Sequence, residues 1–236
     1  MRTDAQISKI KETQSASLQL NNFVDTSVIH AIIDYYNDSN KLEKPTGPIT
    51  CKIPTSQGVL EANFLNNLLA DLHKQFGHFK VWSAQIFKTK YPHVLHNDDH
   101  EGQPNCFKTF LIPLVASPTD IDQEKVKTVT YNQHFYHGAK KFFNGENDTK
   151  NVYKNQPLYE YSMVEDLTDI EIEESIRKKE LTHLQANWLK GLSIENMFTW
   201  KKNSCIVFDT LRLHSASDFT QVGIEYKMGL SIFTEI

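Results

Sequence analysis

Several features that would settle the class of a protein at once are scarce or missing here. The 236 residues include three cysteines, Cys51, Cys106 and Cys205. That number is too few and too odd for a disulfide framework, and their spacing is not that of a metal site. A reducing cytoplasm is the expected setting. Cys106 and Cys205 fall in strand-like segments and read as small core residues, whereas Cys51 follows a Pro-Gly-Pro region and is expected to be exposed. No run approaches about 18 consecutive apolar residues, so neither a membrane span nor a membrane partner is expected. The stretch MRTDAQISKIKETQSASLQL has no apolar core segment, so it is not expected to act as a secretory signal. Lys and Arg number 25 against 29 Asp and Glu, so no basic excess points to nucleic acid. There is no Gly-rich phosphate loop, no nucleophile–base pair worth pursuing, no internal repeat and no Gly- or Ser-rich linker.

What remains is an ordinary globular composition, 39% hydrophobic and 23% charged. With no visible boundary, residues 1–236 read as one domain, of which the polar residues 1–20 are expected to be loosely held. DTSVIHAIIDYYND offers Asp25 or Thr26 as an N-cap, followed by Val28, Ile29, Ile32, Ile33 and Tyr36 at helical spacing. KPTGPIT is a breaker cluster. A second helix is expected from about Leu60 to His73, with Gly77 as its stop. Thereafter strands dominate: FKVWSAQIFKT, NCFKTFLIPLVAS, VKTVTYNQHFY, SCIVFDT and the final IEYKMGLSIFTEI. Between them LTDIEIEESIRKKELTHL reads as a helix with Thr168 as N-cap, its charges forming a solvated face. Helices first and strands later argue for α+β with a mainly β core, not for a doubly wound sheet.

KYPHVLHNDDHEG concentrates three histidines and two aspartates. His96 and Asp98 stand two apart, so on an extended chain both side chains leave the same face and reach one cation side by side. Asp99 points the other way and is the poorer ligand. His93 and His100 remain nearby alternatives. For a third ligand, His134 and His137 fall on opposite faces of a strand and His183 lies in the charged helical stretch. His214, just after the strand SCIVFDT, is the choice. Two imidazoles and one carboxylate occupying one face of an octahedral ion suit non-haem Fe(II) that activates O2.

In order along the chain, YPHVLHNDD, the strand KTFLIPLV, the run FTWKKNSCIVFDTLRLHSASDF and the closing GIEYKMGLSIFT resemble the 2-oxoglutarate- and Fe(II)-dependent dioxygenases. Trp200, Phe208, Asp209 and His214 follow the family's pattern. The resemblance covers roughly residues 80–115 and 165–236. It implies a double-stranded β-helix, a jelly-roll or cupin-like barrel, with N-terminal helices packed on one sheet. It also implies His96, Asp98 and His214 as iron ligands, with Fe(II), 2-oxoglutarate and O2 as cofactor and cosubstrates. Decarboxylation to succinate would then accompany hydroxylation of a small molecule or a protein side chain. The family usually has Gly in the turn before the distal strand; here Lys202-Asn203-Ser204 stands there, and Asn tolerates positive φ.

The family also carries a basic residue that holds the distal carboxylate of 2-oxoglutarate, and Lys227 stands at that place, 13 residues after His214. In the last strand Lys227, Gly229, Ser231 and Phe233 share one face, while Met228, Leu230 and Ile232 form a plain core face. A buried ammonium needs a partner, and a dicarboxylate would supply it, with Ser231 adding a hydroxyl and Gly229 leaving room. Most of the family has Arg here, which clamps a carboxylate with two bonds where Lys offers a point charge. Some branches use a Lys on the strand after H-x-D, so Lys108 stays open as the anchor. Arg212 is expected to make a surface or substrate contact. YNQHFYHGAKKFF is a candidate lid whose His134, Tyr136, His137, Lys140 and Lys141 would meet a polar or anionic substrate. Two rivals stand beside this reading: a cupin-like metalloenzyme that does not use 2-oxoglutarate, with His93 or His100 as an added ligand, and a non-catalytic jelly-roll binding module.

Overall fold

The computed structural model describes residues 2–38, 49–99, 105–119, 123–136 and 164–236. In chain order the elements are α1 (Asp4–Lys11), β1 (Leu18–Leu20), α2 (Thr26–Asp38), β2 (Ile49–Ile53), β3 (Thr55–Ser56) and β4 (Val59–Leu60). Then come α3 (Asn66–Phe76), β5 (Lys80–Thr89), β6 (Cys106–Ser117), β7 (Lys127–His134), α4 (Glu174–Glu180) and β8 (Ile194–Thr199). β9 (Cys205–Asp209), β10 (Arg212–Ala216) and β11 (Tyr226–Glu235) complete the described chain. β1, β9, β6, β11, β5 and β2 form one sheet in that order, β10, β7 and β8 a second, and every pairing is antiparallel.

Strand alternation decides what lies on each side of the larger sheet. Met228, Leu230 and Ile232 of β11 join Phe110 and Ile112 of β6 in the core beneath α2 and α3. Those helices present the apolar stripes read from the sequence, Ile29, Ile32 and Tyr36 on α2 and Leu68, Leu69 and Leu72 on α3. On the opposite face Leu111, Ile206 and Phe208 pack with Trp200, Ala216 and Phe219 in the space between the sheets. The outer face of the smaller sheet is covered by Leu181, Leu189 and Leu192 against Val129, Tyr131 and Leu213.

Local expectations fail where a longer-range pairing competes. The second helix begins at Asn66 instead of Leu60, because Leu60 pairs with Thr55 in a small hairpin. That hairpin turns at Gln57 and Gly58, both at positive φ. Thr168 caps no helix: its backbone N–H donates to the Gly191 carbonyl at 2.8 Å, and α4 starts six residues later. β1, β2 and β8 were not legible as strands, and Cys51, opposite Ile86 in the β2–β5 pair, is buried. Residues 2–20 are not loose. α1 opens with a reciprocal cap between Thr3 and Gln6, and β1 pairs with β9. Asn203 does adopt positive φ, at 64°, in the turn before β9.

Gly229 has a packing reason. A Cβ there would lie 2.8 Å from Phe87 Cζ and 2.9 Å from Trp200 Cη2. Gly229→Ala is expected to destabilise by about 1–3 kcal/mol through overpacking. In a thermal melt that is a fall of several degrees.

Candidate metal centre

The segment bearing His96 and Asp98 runs antiparallel along the free edge of β10. His96 N–H donates to the His214 carbonyl at 3.0 Å and His214 N–H to the His96 carbonyl at 2.8 Å. On one side of this pair Ala216 N–H donates to His93 O at 3.0 Å; on the other Asp98 N–H donates to Thr210 O at 3.0 Å. Residues directly opposite in such a pair send their side chains to the same face, and so does a residue two further along. The two rings therefore meet with centroids 4.0 Å apart. Asp98 Oδ1 lies 3.6 Å from His96 Nε2, and Oδ2 lies 3.5 Å from His214 Nε2. His214 is in the middle of its own strand after a tight turn, not in a loop after β9.

Three ligand atoms, one each from His96, Asp98 and His214, all lie within 4.8 Å of one another, and they are the one such group among the described residues. The donor set fits a divalent ion. His96 Nδ1 is 2.7 Å from Val94 O and His214 Nδ1 is 3.0 Å from Arg212 O. A carbonyl only accepts, so each Nδ1 carries the proton and each Nε2 presents a lone pair toward Asp98. Burial, then the neighbouring His93 and His214 rings, push His96 well below its ordinary value and favour the neutral, ligating form. Burial alone would raise the Asp98 carboxyl, but His214 and then His96 outweigh it and hold it below the usual range.

The His93 ring lies against that of His96, tilted by 49° with centroids 3.9 Å apart, and lines the same pocket without joining the ligand cluster. His100 lies outside the described residues. Asp99 points away, as alternation requires, into a bidentate pair with Arg2.

The pocket opens between the sheets and is lined by His96, Asp98, His214, Lys227 and Ser231, with Phe87, Leu111, Phe208 and Phe233 as apolar walls. Lys227 is 4% exposed. Its Nζ makes no ion pair or hydrogen bond with the described residues and lies 4.3 Å from the Trp200 ring centroid and 5.6 Å from that of Phe219. Burial pushes its pKa down to about 7. The nearby His183 is itself pushed down to about 4, chiefly by burial, so it adds no second charge at neutral pH.

Lys108 goes elsewhere. It shares a face of β6 with Phe110 and Ile112, on the far side of the sheet from Leu111. There its Nζ pairs with Asp209 and donates to Thr13 O at 3.1 Å and to Ser15 Oγ at 2.8 Å. Arg212 is likewise no surface contact: it is 5% exposed, 3.1 Å from Asp209 and 3.2 Å from Glu195. His134 Nε2 completes this group at 3.1 Å from Asp209. Burial would raise the Asp209 carboxyl, yet the His134 hydrogen bond and the charges of Lys108 and Arg212 hold it low. His134 and Tyr136, expected in a lid, are buried behind the site; Tyr136 Oη accepts from Gln14 Nε2 at 2.6 Å. His137, Lys140 and Lys141 lie outside the described residues. This buried network escaped the sequence reading because its members sit on five separate segments. The one local signal was a charged residue, Lys108, inside an otherwise apolar strand.

No family model and no curated protein matches the sequence. Solved structures of similar shape do exist. The non-haem α-ketoglutarate-dependent epimerase SnoN of nogalamycin biosynthesis aligns over 99% of this chain and 84% of its own, at 9% identity and a TM-score of 0.50. An oxidoreductase of the 2OG-Fe(II) oxygenase family from Burkholderia pseudomallei aligns over 100% of this chain and 92% of its own, at 12% identity and a TM-score of 0.49. The viral collagen prolyl hydroxylase vCPH of Paramecium Bursaria Chlorella virus-1 aligns over 94% and 96%, at 9% identity and a TM-score of 0.44. Two antiparallel sheets enclosing the pocket, helices on the larger sheet and the match to SnoN together define the architecture: the chain has the double-stranded β-helix fold of the 2-oxoglutarate- and Fe(II)-dependent oxygenases.

Proposed function

We propose that this chain is a single-domain non-haem Fe(II) oxygenase that couples decarboxylation of 2-oxoglutarate to hydroxylation of a small molecule or a protein side chain. One observation carries the reading. Two imidazoles and a carboxylate suited to one face of an octahedral ion share a pocket with a buried ammonium that has no counter-charge in the described protein. A dicarboxylate cosubstrate supplies that charge. A cupin-like metalloenzyme without 2-oxoglutarate has no use for a buried unpaired Lys227, and a binding module has none for two imidazoles with their Nε2 atoms turned to one acid.

In this reading the Nε2 atoms of His96 and His214 and the Asp98 carboxylate hold the metal. Lys227 binds the distal carboxylate of 2-oxoglutarate, and the Ser231 hydroxyl adds a hydrogen bond. Trp200 supports the ammonium from below through its ring face. Phe87, Leu111 and Phe208 keep the pocket dry, which strengthens every charge interaction within it. Bound Fe(II) would supply the activation of O2. The balance is 2-oxoglutarate, O2 and a substrate C–H going to succinate, CO2 and C–OH.

The first test is anaerobic Mn(II) titration followed by an aerobic assay with Fe(II). One Mn(II) per chain and O2-dependent release of succinate from 2-oxoglutarate are expected, both lost in His96→Ala, His214→Ala and Asp98→Ala. Metal binding with no 2-oxoglutarate consumption would favour the cupin-like alternative.

Lys227 and Lys108 make opposite predictions. Lys227→Met should weaken 2-oxoglutarate binding by at least about tenfold, since a charge-assisted contact is lost. It should also raise the melting temperature at pH 7, because an uncompensated buried charge disappears. Lys108→Met should leave the affinity for 2-oxoglutarate near that of the wild type and destabilise by about 3–5 kcal/mol, since it strips a partner from buried Asp209. The reverse pattern would transfer the anchor to Lys108.

Binding of 2-oxoglutarate should also weaken with alkali. The dianion needs protonated Lys227, whose pKa is about 7. The apparent dissociation constant should therefore be flat below pH 7 and rise toward about tenfold per pH unit above it. Calorimetric titration across pH 6–9 checks this, and Lys227→Met should abolish the trend.

A further inference from the structure

Asp99, the acid that faces away from the metal centre, is held by an arginine distant in sequence. Arg2 Nη1 donates to Asp99 Oδ2 and Nη2 to Oδ1, each at 2.6 Å, across a sequence separation of 97. Both side chains are buried, at 7% and 1% exposure. The same guanidinium donates to the Tyr136 carbonyl at 2.8 Å and lies 3.1 Å from Cys106 Sγ, so the fork has a fixed seat. Arg2 is delivered there by a segment that is itself tied down. Lys108 binds Thr13 O and Ser15 Oγ, Arg212 donates to Ser15 O at 2.9 Å, and β1 pairs with β9.

Cys106 Sγ also donates to Asp99 Oδ1, at 3.4 Å. Other restraints on the ligand-bearing segment lie at or before Asp98; they include the Ala216 N–H bond to His93 O, the His96–His214 backbone pair, the Asn97 Nδ2 bond to Phe135 O at 3.0 Å and the Asp98 N–H bond to Thr210 O. Among the described residues, the clamp on Asp99 is the side-chain ion pair beyond Asp98. On an extended chain Asp98 and Asp99 leave opposite faces, so seating one sets the rotation of the other about the strand axis. Without the guanidinium, a buried carboxylate would lie uncompensated next to the metal-binding acid, and the segment would turn to hydrate it.

We infer that Arg2 is a positioning residue for the metal centre: by clamping Asp99 it sets the direction of Asp98, and residues 2–20 act as a strap that carries metal affinity. This rests on the oxygenase reading only in taking His96, Asp98 and His214 as metal ligands.

The test is the Mn(II) dissociation constant by electron paramagnetic resonance, with the Co(II) absorption spectrum and a thermal melt on the same full-length samples. Arg2→Ala is expected to weaken Mn(II) about tenfold, the lower end of what losing an outer partner of a metal ligand costs. It should also change the Co(II) spectrum. Arg2→Met combined with Asp99→Asn removes both charges and avoids a buried unpaired one, so it should melt near the wild type yet still bind Mn(II) about tenfold more weakly. Lys11→Ala breaks the exposed Lys11–Glu165 pair and the contact of Lys11 with the Tyr136 ring while leaving the Arg2–Asp99 pair in place, and should leave Mn(II) affinity unchanged. Wild-type affinity and an unchanged Co(II) spectrum in the doubly neutral variant would overturn the inference, whether or not Arg2→Ala folds. So would an equal loss in Lys11→Ala. A wild-type protein that binds no Mn(II) defeats the oxygenase reading and this inference with it. A wild type that binds, with variants that bind alike, defeats the inference alone.

Discussion

The reciprocal backbone pair between His96 and His214 is the contact on which the site depends. Two hydrogen bonds, at 3.0 and 2.8 Å, join residues far apart in the chain and place them directly opposite each other on neighbouring extended segments. Sheet geometry then does the rest. Opposed residues share a face, a residue two further along shares it too, and so Asp98 arrives beside both rings with no further device. The carbonyls of Val94 and Arg212, each two residues before its histidine, fix the ring tautomers from within the same segments. The clustering of His96, Asp98 and His214 is thus a by-product of adding one short extended segment to the edge of β10, which also satisfies that edge's backbone groups.

Charge is distributed unequally on the two sides of the larger sheet. Behind the site Asp209 is surrounded by Lys108, His134 and Arg212, and Arg212 also meets Glu195. Each buried charge there has partners, so desolvation is offset and the cluster fastens the N-terminal segment to the barrel. Inside the pocket, among the described residues, Lys227 Nζ meets the rings of Trp200 and Phe219 and no counter-charge. A protein selected for stability alone would place an apolar side chain there. Keeping a cation in the pocket costs stability; in the proposed oxygenase an anionic cosubstrate would offset that cost, a trade between stability and activity. Gly229 belongs to the same arrangement, since its missing Cβ lets Trp200 lie close enough to support the ammonium.

Much of the fold was legible because local periodicity reports which face of an element is buried. The stripes of α2 and α3, the alternation of β11 and the spacing of His96 and Asp98 each follow from a period of about 3.6 or of two. Local periodicity misleads where it fits two elements or where the partner is distant. Leu60 fits a helical stripe but pairs with Thr55 in a hairpin. The anchoring of residues 2–20 is invisible to local pattern because Asp99, Lys108, Asp209 and Arg212, which hold them in place, lie about 90 to 200 positions further along.

The sequence by itself determined which residues could share a face: His96 with Asp98, and Lys227 with Ser231, set against the apolar partners of each strand. Only the tertiary structure decided which of two buried lysines has a counter-charge, that Arg212 and His134 belong to an internal network, and that Arg2 reaches the segment carrying His96 and Asp98. The reason is physical. Alternation along a strand is a property of neighbouring residues, whereas the pairing of a buried charge depends on whatever distant segment the folded chain brings against it.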